Sequence, residues 1–262
     1  MDARIENIVA NLKRSGRYSR LLDCIVDPIP QSFLFELLFA NRLDNSDVFL
    51  SYEVNVNPST NMTVDFVHED DDGTLLCFEL VSPEMSNELR CESAPVKTEI
   101  EGVSTYSVLL ESRHENPYLR PEALTIRMQE KLLEKVGKFP EASDDVFSTI
   151  VVNCSAFHFG HFDDEDCRMV VFGKTKVPYL QEYWEGKLVK GILNPGDHRR
   201  GAKEFRERIT AVIFVPKKEI ELLDKAFLVL NVSRPASHLQ AFWLKLRDRP
   251  IFGKLKYVQP AQ

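Results

Sequence analysis

Two carboxylates, Asp65 and Glu79, stand within apolar segments of the stretch TVDFVHEDDDGTLLCFELV, residues 63–81. An ionised carboxylate among Val, Phe and Leu side chains is costly unless a cation or hydrogen-bond donors compensate its charge. Carboxylate oxygens are also the ligands that Mg²⁺ and Mn²⁺ prefer. The two acids therefore predict either an ion-pair site or a metal site in this part of the chain.

The elements that position these acids are the two strands of one hairpin. The dipeptide Asp72-Gly73 suits the positive φ angles of a tight turn between antiparallel strands. Asp65 then lies inside the first strand, and Glu79 lies near the end of the second. Because side chains alternate along a strand, we expect Val81 to share the face of Glu79.

A third acid, Glu36, lies in the run SFLFELLFANRL, residues 32–43, which predicts a short helix that is apolar on nearly every side. Its helical neighbours are apolar, so we expect the Glu36 carboxylate to be at least partly buried. The alternative is a glutamate that lies at the rim of the helix or pairs with Arg42. The segment that follows, residues 48–56, alternates apolar and polar residues as a strand with one core face does.

A second informative helix is predicted over 121–138. Its apolar arc comprises Ile126, Met128, Leu132, Leu133 and Val136. Gln129 falls near the middle of this arc, where a buried amide must find partners, so we expect it to reach a polar group on the sheet beneath. The alternative is a glutamine that is bonded to a loop carbonyl.

Basic residues occupy the other side of this helix. They are Arg127, Lys131, Lys135 and Lys138. Such a stripe is either a solvated face or a set of contacts to nucleic-acid phosphates. Residues 1–167 carry 14 Lys+Arg and 31 Asp+Glu, whereas residues 168–262 carry 19 and 9. The basic C-terminal third either forms a local patch for an anionic partner or packs against the acidic part and neutralises it.

Four later apolar runs predict buried strands, namely VFSTIVVNCSAF, CRMVVFG, RITAVIFVP and AFLVLN. The segment HFGHFDDED, residues 158–166, lies between the first two of these runs. Its HxxH spacing is not the i, i+4 pair of zinc hydrolases, and consecutive acids between strands are typical of a solvated turn. We therefore expect a turn there in preference to a metal site.

The order of these elements resembles that of the PD-(D/E)XK, restriction-endonuclease-like, nuclease superfamily over roughly residues 30–173. The shared order is a helix with a buried acid, a strand, a hairpin carrying an Asp and then a Glu, a helix over the sheet, and two more strands. The resemblance implies an α/β fold with a central mixed β-sheet flanked by helices, in a single domain spanning 1–262. Residues 174–262 would be a basic extension that completes the sheet and covers one end.

The same resemblance assigns roles to the site residues. Glu36, Asp65 and Glu79 match the acidic positions of the family's core, and Gln129 matches a polar residue that some members supply from the following helix. The implied activity is that of a metal-dependent nuclease in which Asp65 and Glu79 hold Mg²⁺ or Mn²⁺. The chain is also similar to uncharacterised bacterial members of this group, a likeness that implies no particular biological role.

The chain departs from the family pattern at one position. Members carry a Lys two residues after the Glu, and here that position is Val81. Some members relocate this cation to a helix, but the helical wheel places Lys131 and Lys135 away from the apolar arc. Two hypotheses follow: a nuclease with a degenerate site, or a catalytically inactive protein of the same fold that binds nucleic acid or protein. Under the first hypothesis, Val81→Lys raises any weak cleavage.

The remaining features bound the class of protein. No run approaches ~18 consecutive apolar residues, so the sequence predicts no membrane span. The charged N-terminal stretch is not typical of a signal peptide. The five cysteines show no CxxC spacing, which is typical of reduced thiols. We therefore expect a cytoplasmic protein without membrane association, and its oligomeric state stays open.

Overall fold

A mixed seven-stranded sheet forms the centre of the computed structural model, which describes residues 3–83, 96–100, 103–107, 124–141, 143–155, 162–174, 189–216, 223 and 225–260. In spatial order its strands are β1 (Ser51–Val54), β2 (Val64–Glu69), β3 (Leu75–Val81), β6 (Val146–Asn153), β9 (Ala211–Val215), β10 (Phe227–Leu230) and β11 (Lys256–Tyr257). The pairs β3–β6, β6–β9 and β10–β11 are parallel, and the other neighbours are antiparallel.

Two short hairpins are separate from this sheet. One comprises β4 (Val96–Ile100) and β5 (Val103–Ser107), and the other comprises β7 (Gly173–Lys174) and β8 (Val189–Lys190). Neither hairpin takes part in the pairing that positions Asp65 and Glu79.

Helices cover both faces of the sheet. One face packs against α1 (Ala3–Ser15), α2 (Ser19–Asp23), α3 (Gln31–Asp44) and α7 (Ala236–Arg247), and the other packs against α4 (Leu124–Lys135), α5 (Asp164–Val171) and α6 (Ala202–Arg208). Alternation along β3 shows why: Phe78 belongs to the first apolar cluster, whereas Cys77 and Val81 belong to the second. The predicted mixed sheet flanked by helices is confirmed. No described helix is long and apolar enough to span a membrane.

The predicted helices differ from the observed ones mainly at their ends. At the N-terminus, α1 and α2 are separated by a turn in which Gly16 has a φ of 70°. The helix predicted over 32–43 is α3. The helix predicted over 121–138 is α4 followed by a 3-10 turn, Val136–Lys138; the segment 108–123 lies outside the described residues.

The strand prediction for CRMVVFG is wrong, because these residues form most of α5. The Asp163 side chain accepts hydrogen bonds from the backbone N–H groups of Glu165 and Asp166, and the Asp166 carboxylate accepts the N–H of Asp163 in return. This capping box starts a helix and outweighs the strand preference of the following Met-Val-Val-Phe. The acids of HFGHFDDED thus begin a helix, and His158 and His161 lie outside the described residues.

The turn of the β2–β3 hairpin is held by the end of α7 and the segment after it. Gly73 has a φ of 81°, as a tight turn requires. The Lys245 ammonium lies 2.9 Å from Asp70 and 2.6 Å from Asp72, and Arg249 also pairs with Asp70. These pairs lower the pKa of the Asp70 carboxyl, although burial opposes them. The acidic tip of the hairpin is therefore fixed by basic residues of the C-terminal region.

Candidate functional site

The register of the β2–β3 hairpin brings the two predicted acids together. Phe66 pairs with Phe78. When this antiparallel register is continued by one residue, Asp65 lies opposite Glu79. Two like charges directly across a strand pair destabilise it unless cations lie between them. The hairpin therefore creates a need for positive charge at this point.

Lys135, the last residue of α4, and Lys138, in the 3-10 turn after it, supply this positive charge. The Glu79 side chain is 0% exposed, and its Oε1 accepts hydrogen bonds from Lys135 Nζ at 2.8 Å and Lys138 Nζ at 2.6 Å. Lys138 Nζ also lies 3.7 Å from Asp65 Oδ1. The Oε2 atom of Glu79 is buried and finds no hydrogen-bond donor among the described residues. The expectation that Lys135 is turned away from the sheet is wrong.

The reach of a lysine explains the error. Lys135 is three residues beyond Leu132, a member of the buried face, so it lies at the flank of that face, and its long apolar stem carries the ammonium inward. Lys138 lies in the 3-10 turn, where 100° per residue no longer applies. Burial lowers the pKa of Lys135, but the Glu79 carboxylate outweighs burial and raises it. Lys135 is therefore held in its charged form.

Asp65 is anchored by the neighbouring strand. Its Oδ2 accepts the backbone N–H of Leu80 at 2.7 Å, which leaves Oδ1 facing Lys138. Burial, together with the charge of Glu79, raises the pKa of Asp65 to about 6, although Lys138 and the Leu80 N–H oppose this shift. The lysine and the backbone N–H therefore offset part of the cost of burying a charge on Asp65.

Glu36 lies on α3 and forms a hydrogen bond that the sequence did not predict. The Tyr52 hydroxyl, on β1, donates to Glu36 Oε2 at 2.7 Å. Burial raises the pKa of Glu36 to about 7; the Tyr52 hydrogen bond opposes the shift, and the charge of Asp65 adds to it. The Glu36 carboxyl is partly buried, as expected. The only sequence signal for Tyr52 was its place on the core face of the predicted strand.

Gln129 is buried, but its amide is used elsewhere. Its Nε2 donates to the backbone carbonyls of Val170 at 2.8 Å and Lys190 at 3.1 Å. These bonds connect α4 to the end of α5 and to β8. These carbonyls belong to a helix and to a strand outside the central sheet, so they are neither the expected polar group on the sheet beneath nor a loop carbonyl. The two bonds commit the amide nitrogen to a structural role.

The four residues of the predicted basic stripe face different ways. Lys131 is 52% exposed and pairs with Glu134 at 2.7 Å. Arg127 is partly buried, and its Nη1 finds no hydrogen-bond partner among the described residues. Lys135 and Lys138 turn toward Glu79, with side chains 30% and 22% exposed. A single row of phosphate contacts along α4 is therefore not the arrangement that this helix presents.

Val81, at the position of the family's lysine, is buried in the apolar cluster beneath α4. The positive charge beside Glu79 comes from Lys135 and Lys138 on the covering segment, and not from position 81 of the strand.

The donor atoms suit a divalent ion in kind. Asp65 Oδ1 and the unpartnered Oε2 of Glu79 are carboxylate oxygens, and Mg²⁺ is commonly bound by one or two carboxylates with several waters. Within the described ranges, no group of three or more His, Cys, Asp or Glu side chains is placed to hold a metal. Two carboxylates fit a partly hydrated Mg²⁺ or Mn²⁺ and do not form a closed cage.

An open groove of about 800 Å³ runs beside the lysines. Val136 and Gly137, which separate Lys135 from Lys138 in the chain, form part of its wall. The charged residues that line it are Glu130, Glu134, Arg199, Arg200, Glu204 and Arg208. Acidic and basic side chains are equal in number, so this groove does not by itself select an anionic ligand.

Comparison with known protein families, with curated proteins and with solved structures finds no match for the chain. The site is therefore interpreted from its own geometry.

Proposed function

We propose that the chain is a metal-dependent nuclease in which Asp65 and Glu79 form the acidic pair and Lys135, on the covering helix, takes the role of the strand lysine of the PD-(D/E)XK pattern. The observation that carries the proposal is the contact of both ammonium groups with one oxygen of the buried Glu79, directly across from Asp65. Two carboxylates, from β2 and β3, and two lysines, from α4 and the 3-10 turn after it, meet here. The mixed sheet with helices on both faces also agrees with the fold class that the resemblance implies.

The roles of the residues follow from their contacts. The Glu79 carboxylate holds the Lys135 ammonium in place, and this ammonium would lie beside the position where a phosphate oxygen gains negative charge. The Leu80 N–H fixes the orientation of Asp65. Glu36, oriented by the Tyr52 hydroxyl, has a pKa near neutrality, as a proton acceptor requires. A bound Mg²⁺ or Mn²⁺ would supply Lewis acidity and a water of lowered pKa.

One observation favours a second candidate, an inactive protein of the same fold that binds nucleic acid or protein. Glu79 has no exposed surface, and two lysines already balance the charges of Glu79 and Asp65. A closed ion-pair cluster of this kind can serve to lock a helix onto a sheet. Under this candidate the cluster has no chemical task, and substitutions there change stability alone.

The test is cleavage of supercoiled plasmid, single-stranded DNA and RNA in the presence of Mn²⁺. We expect the wild-type chain to cleave at least one substrate and Asp65→Asn and Glu79→Gln to lose that activity while remaining folded. Lys131→Met is the matched control, because Lys131 is on the same helix but outside the cluster. Absence of cleavage by the wild-type chain on all three substrates, with the fold intact, would support the second candidate.

A further inference from the structure

The two lysines of the cluster are not equivalent. Lys135 Nζ lies 2.8 Å from Glu79 Oε1. Lys138 Nζ lies 2.6 Å from the same oxygen and also 3.7 Å from Asp65 Oδ1. Lys138 thus bridges the two carboxylates, whereas the contact of Lys135 is with Glu79. The bridging position is the one that a cation shared by Asp65 and Glu79 must take.

The remaining carboxylate oxygens restrict where such a cation can bind. Asp65 Oδ2 is occupied by the Leu80 N–H, so Oδ1 is the Asp65 oxygen available to a metal, and it faces Lys138. On Glu79, the partner-free Oε2 is buried. The Lys138 ammonium already lies between Asp65 Oδ1 and Glu79, so a metal ion that binds Oδ1 and bridges to Glu79 cannot share this space with it.

The charges lead to the same conclusion. Two carboxylates and two ammonium groups balance, so a divalent ion added without displacement would leave an excess of two positive charges around a fully buried Glu79. Such an excess is costly in a poorly solvated site. Departure of one ammonium group halves this excess.

The two lysines differ in their backbone and not in their exposure, which is 22% for Lys138 and 30% for Lys135. Lys138 lies at the end of the 3-10 turn Val136–Lys138, whose other two residues form part of the wall of the open groove. Lys135 belongs to the last turn of α4 and pairs with Glu79 independently of Lys138.

We propose that Lys138 occupies the divalent-cation position in the metal-free protein and is displaced by the metal, whereas Lys135 stays on Glu79. This inference rests on the metal-binding part of the proposed function. The Lys138 ammonium then competes with the metal ion for the position between Asp65 and Glu79. The metal affinity of the wild-type chain is therefore lower than Asp65 and Glu79 alone would provide.

Calorimetric titration of Mn²⁺ into folded variants tests the competition. We expect Lys138→Met to tighten Mn²⁺ binding by at least about tenfold, because a positive charge is removed from the metal position itself. Lys135→Met is the matched control and should change the affinity less. Equal gains in the two variants, or no gain in Lys138→Met, would overturn the inference.

A second measurement uses the wild-type chain and needs no variant. Brief acetylation of lysine amines followed by peptide mass spectrometry reports how accessible each ammonium group is. On addition of Mn²⁺ we expect labelling of Lys138 to rise several-fold, while labelling of Lys135 and of the exposed Lys131 stays constant. Mn²⁺ binding with unchanged labelling of Lys138 would overturn the inference.

The two proposals fail in different ways. Cleavage without displacement of Lys138 removes this inference and leaves the proposed nuclease function intact. Displacement of Lys138 by Mn²⁺ without cleavage of any substrate removes the nuclease function and leaves a metal-binding site controlled by Lys138.

Discussion

The ammonium of Lys135 lies 2.8 Å from Oε1 of Glu79, although the two residues are 56 positions apart in the sequence. This contact crosses the interface between α4 and the sheet, and Lys138 duplicates it from the following turn. The positive charge that compensates the buried Glu79 consequently comes from the covering segment and not from the strand of Glu79.

We predict that removing both cations destabilises the fold. Lys135→Met/Lys138→Met leaves the carboxylate of Glu79 buried without compensation, which costs roughly 3–5 kcal/mol of unfolding free energy at pH 7. Urea denaturation at pH 7 measures this change. The control is Lys131→Met, whose exposed pair with Glu134 contributes at most about 1 kcal/mol. A double variant as stable as this control would show that the ion pairs of Glu79 do not contribute to the free energy of unfolding.

A pH dependence follows from Glu36. Burial raises its pKa from 4.5 to about 7 in the folded chain, so the folded state binds the proton more tightly than the unfolded state does. The stability from this group is fully present below about pH 4.5 and is lost as the pH rises through about 7. In Glu36→Gln this loss disappears, because the amide keeps an acceptor for Tyr52 and cannot ionise.

Chemical denaturation of both proteins between pH 4 and pH 8 checks this prediction. The stability difference between Glu36→Gln and the wild-type chain should grow in favour of the variant as the pH rises. An exposed acid, in Glu134→Gln, is the control and should leave the shape of the profile unchanged. Parallel profiles for Glu36→Gln and the wild-type chain would contradict the assignment of the shift to Glu36.

For Gln129 we predict a structural effect. Gln129→Ala removes the donor to the carbonyls of Val170 and Lys190 and leaves both buried acceptors without it, at a cost of about 1–3 kcal/mol. Thermal unfolding measures the loss, and the cleavage rate of the folded variant should stay unchanged. Lost cleavage at unchanged stability would restore the catalytic role that the resemblance implies for Gln129.

Val81→Lys is expected to destabilise the chain and not to increase cleavage. Val81 is buried in the apolar cluster, and the cation that the family pattern requires is already supplied from the end of α4. A third ammonium group there would be buried beside a Glu79 whose charge Lys135 and Lys138 already compensate, so we expect a loss of roughly 3–5 kcal/mol in urea denaturation. Val81→Met, which adds volume without charge, is the control. Faster cleavage by a stable Val81→Lys variant would contradict this view of the site.

The strand pairing that places Asp65 opposite Glu79 could be predicted from the sequence. The Asp72-Gly73 turn signal and the alternation on either side of it determine the hairpin and hence the position of Asp65 opposite Glu79. These are local properties, set by the φ angle of Gly73 and by the two-residue period of a strand. Local signals of this kind can be interpreted without knowledge of the rest of the fold.

The positions of the Lys135 and Lys138 ammonium groups could not be predicted from the sequence. A helical wheel assigns a residue to a direction, but a lysine ammonium lies several bonds from its Cα, and Lys138 is beyond the end of regular α geometry. The α5 helix shows a similar limit, since strand propensity was outweighed by the capping box at Asp163. Gln129 shows a third limit. Its burial was predictable, but its partners, the carbonyls of Val170 and Lys190, lie 41 and 61 positions away in the chain.

The ion pairs at the tip of the β2–β3 hairpin join residues that are synthesised at very different times. Asp70 is paired with Arg249, which is 179 positions later, and with Lys245. While the chain grows on the ribosome, the hairpin that carries Asp65 and Glu79 emerges long before these basic residues exist. Its acidic tip then has no partner from the C-terminal region, and contacts between such distant positions form late in folding. The turn of this hairpin can therefore gain its ion pairs only after synthesis has passed Arg249.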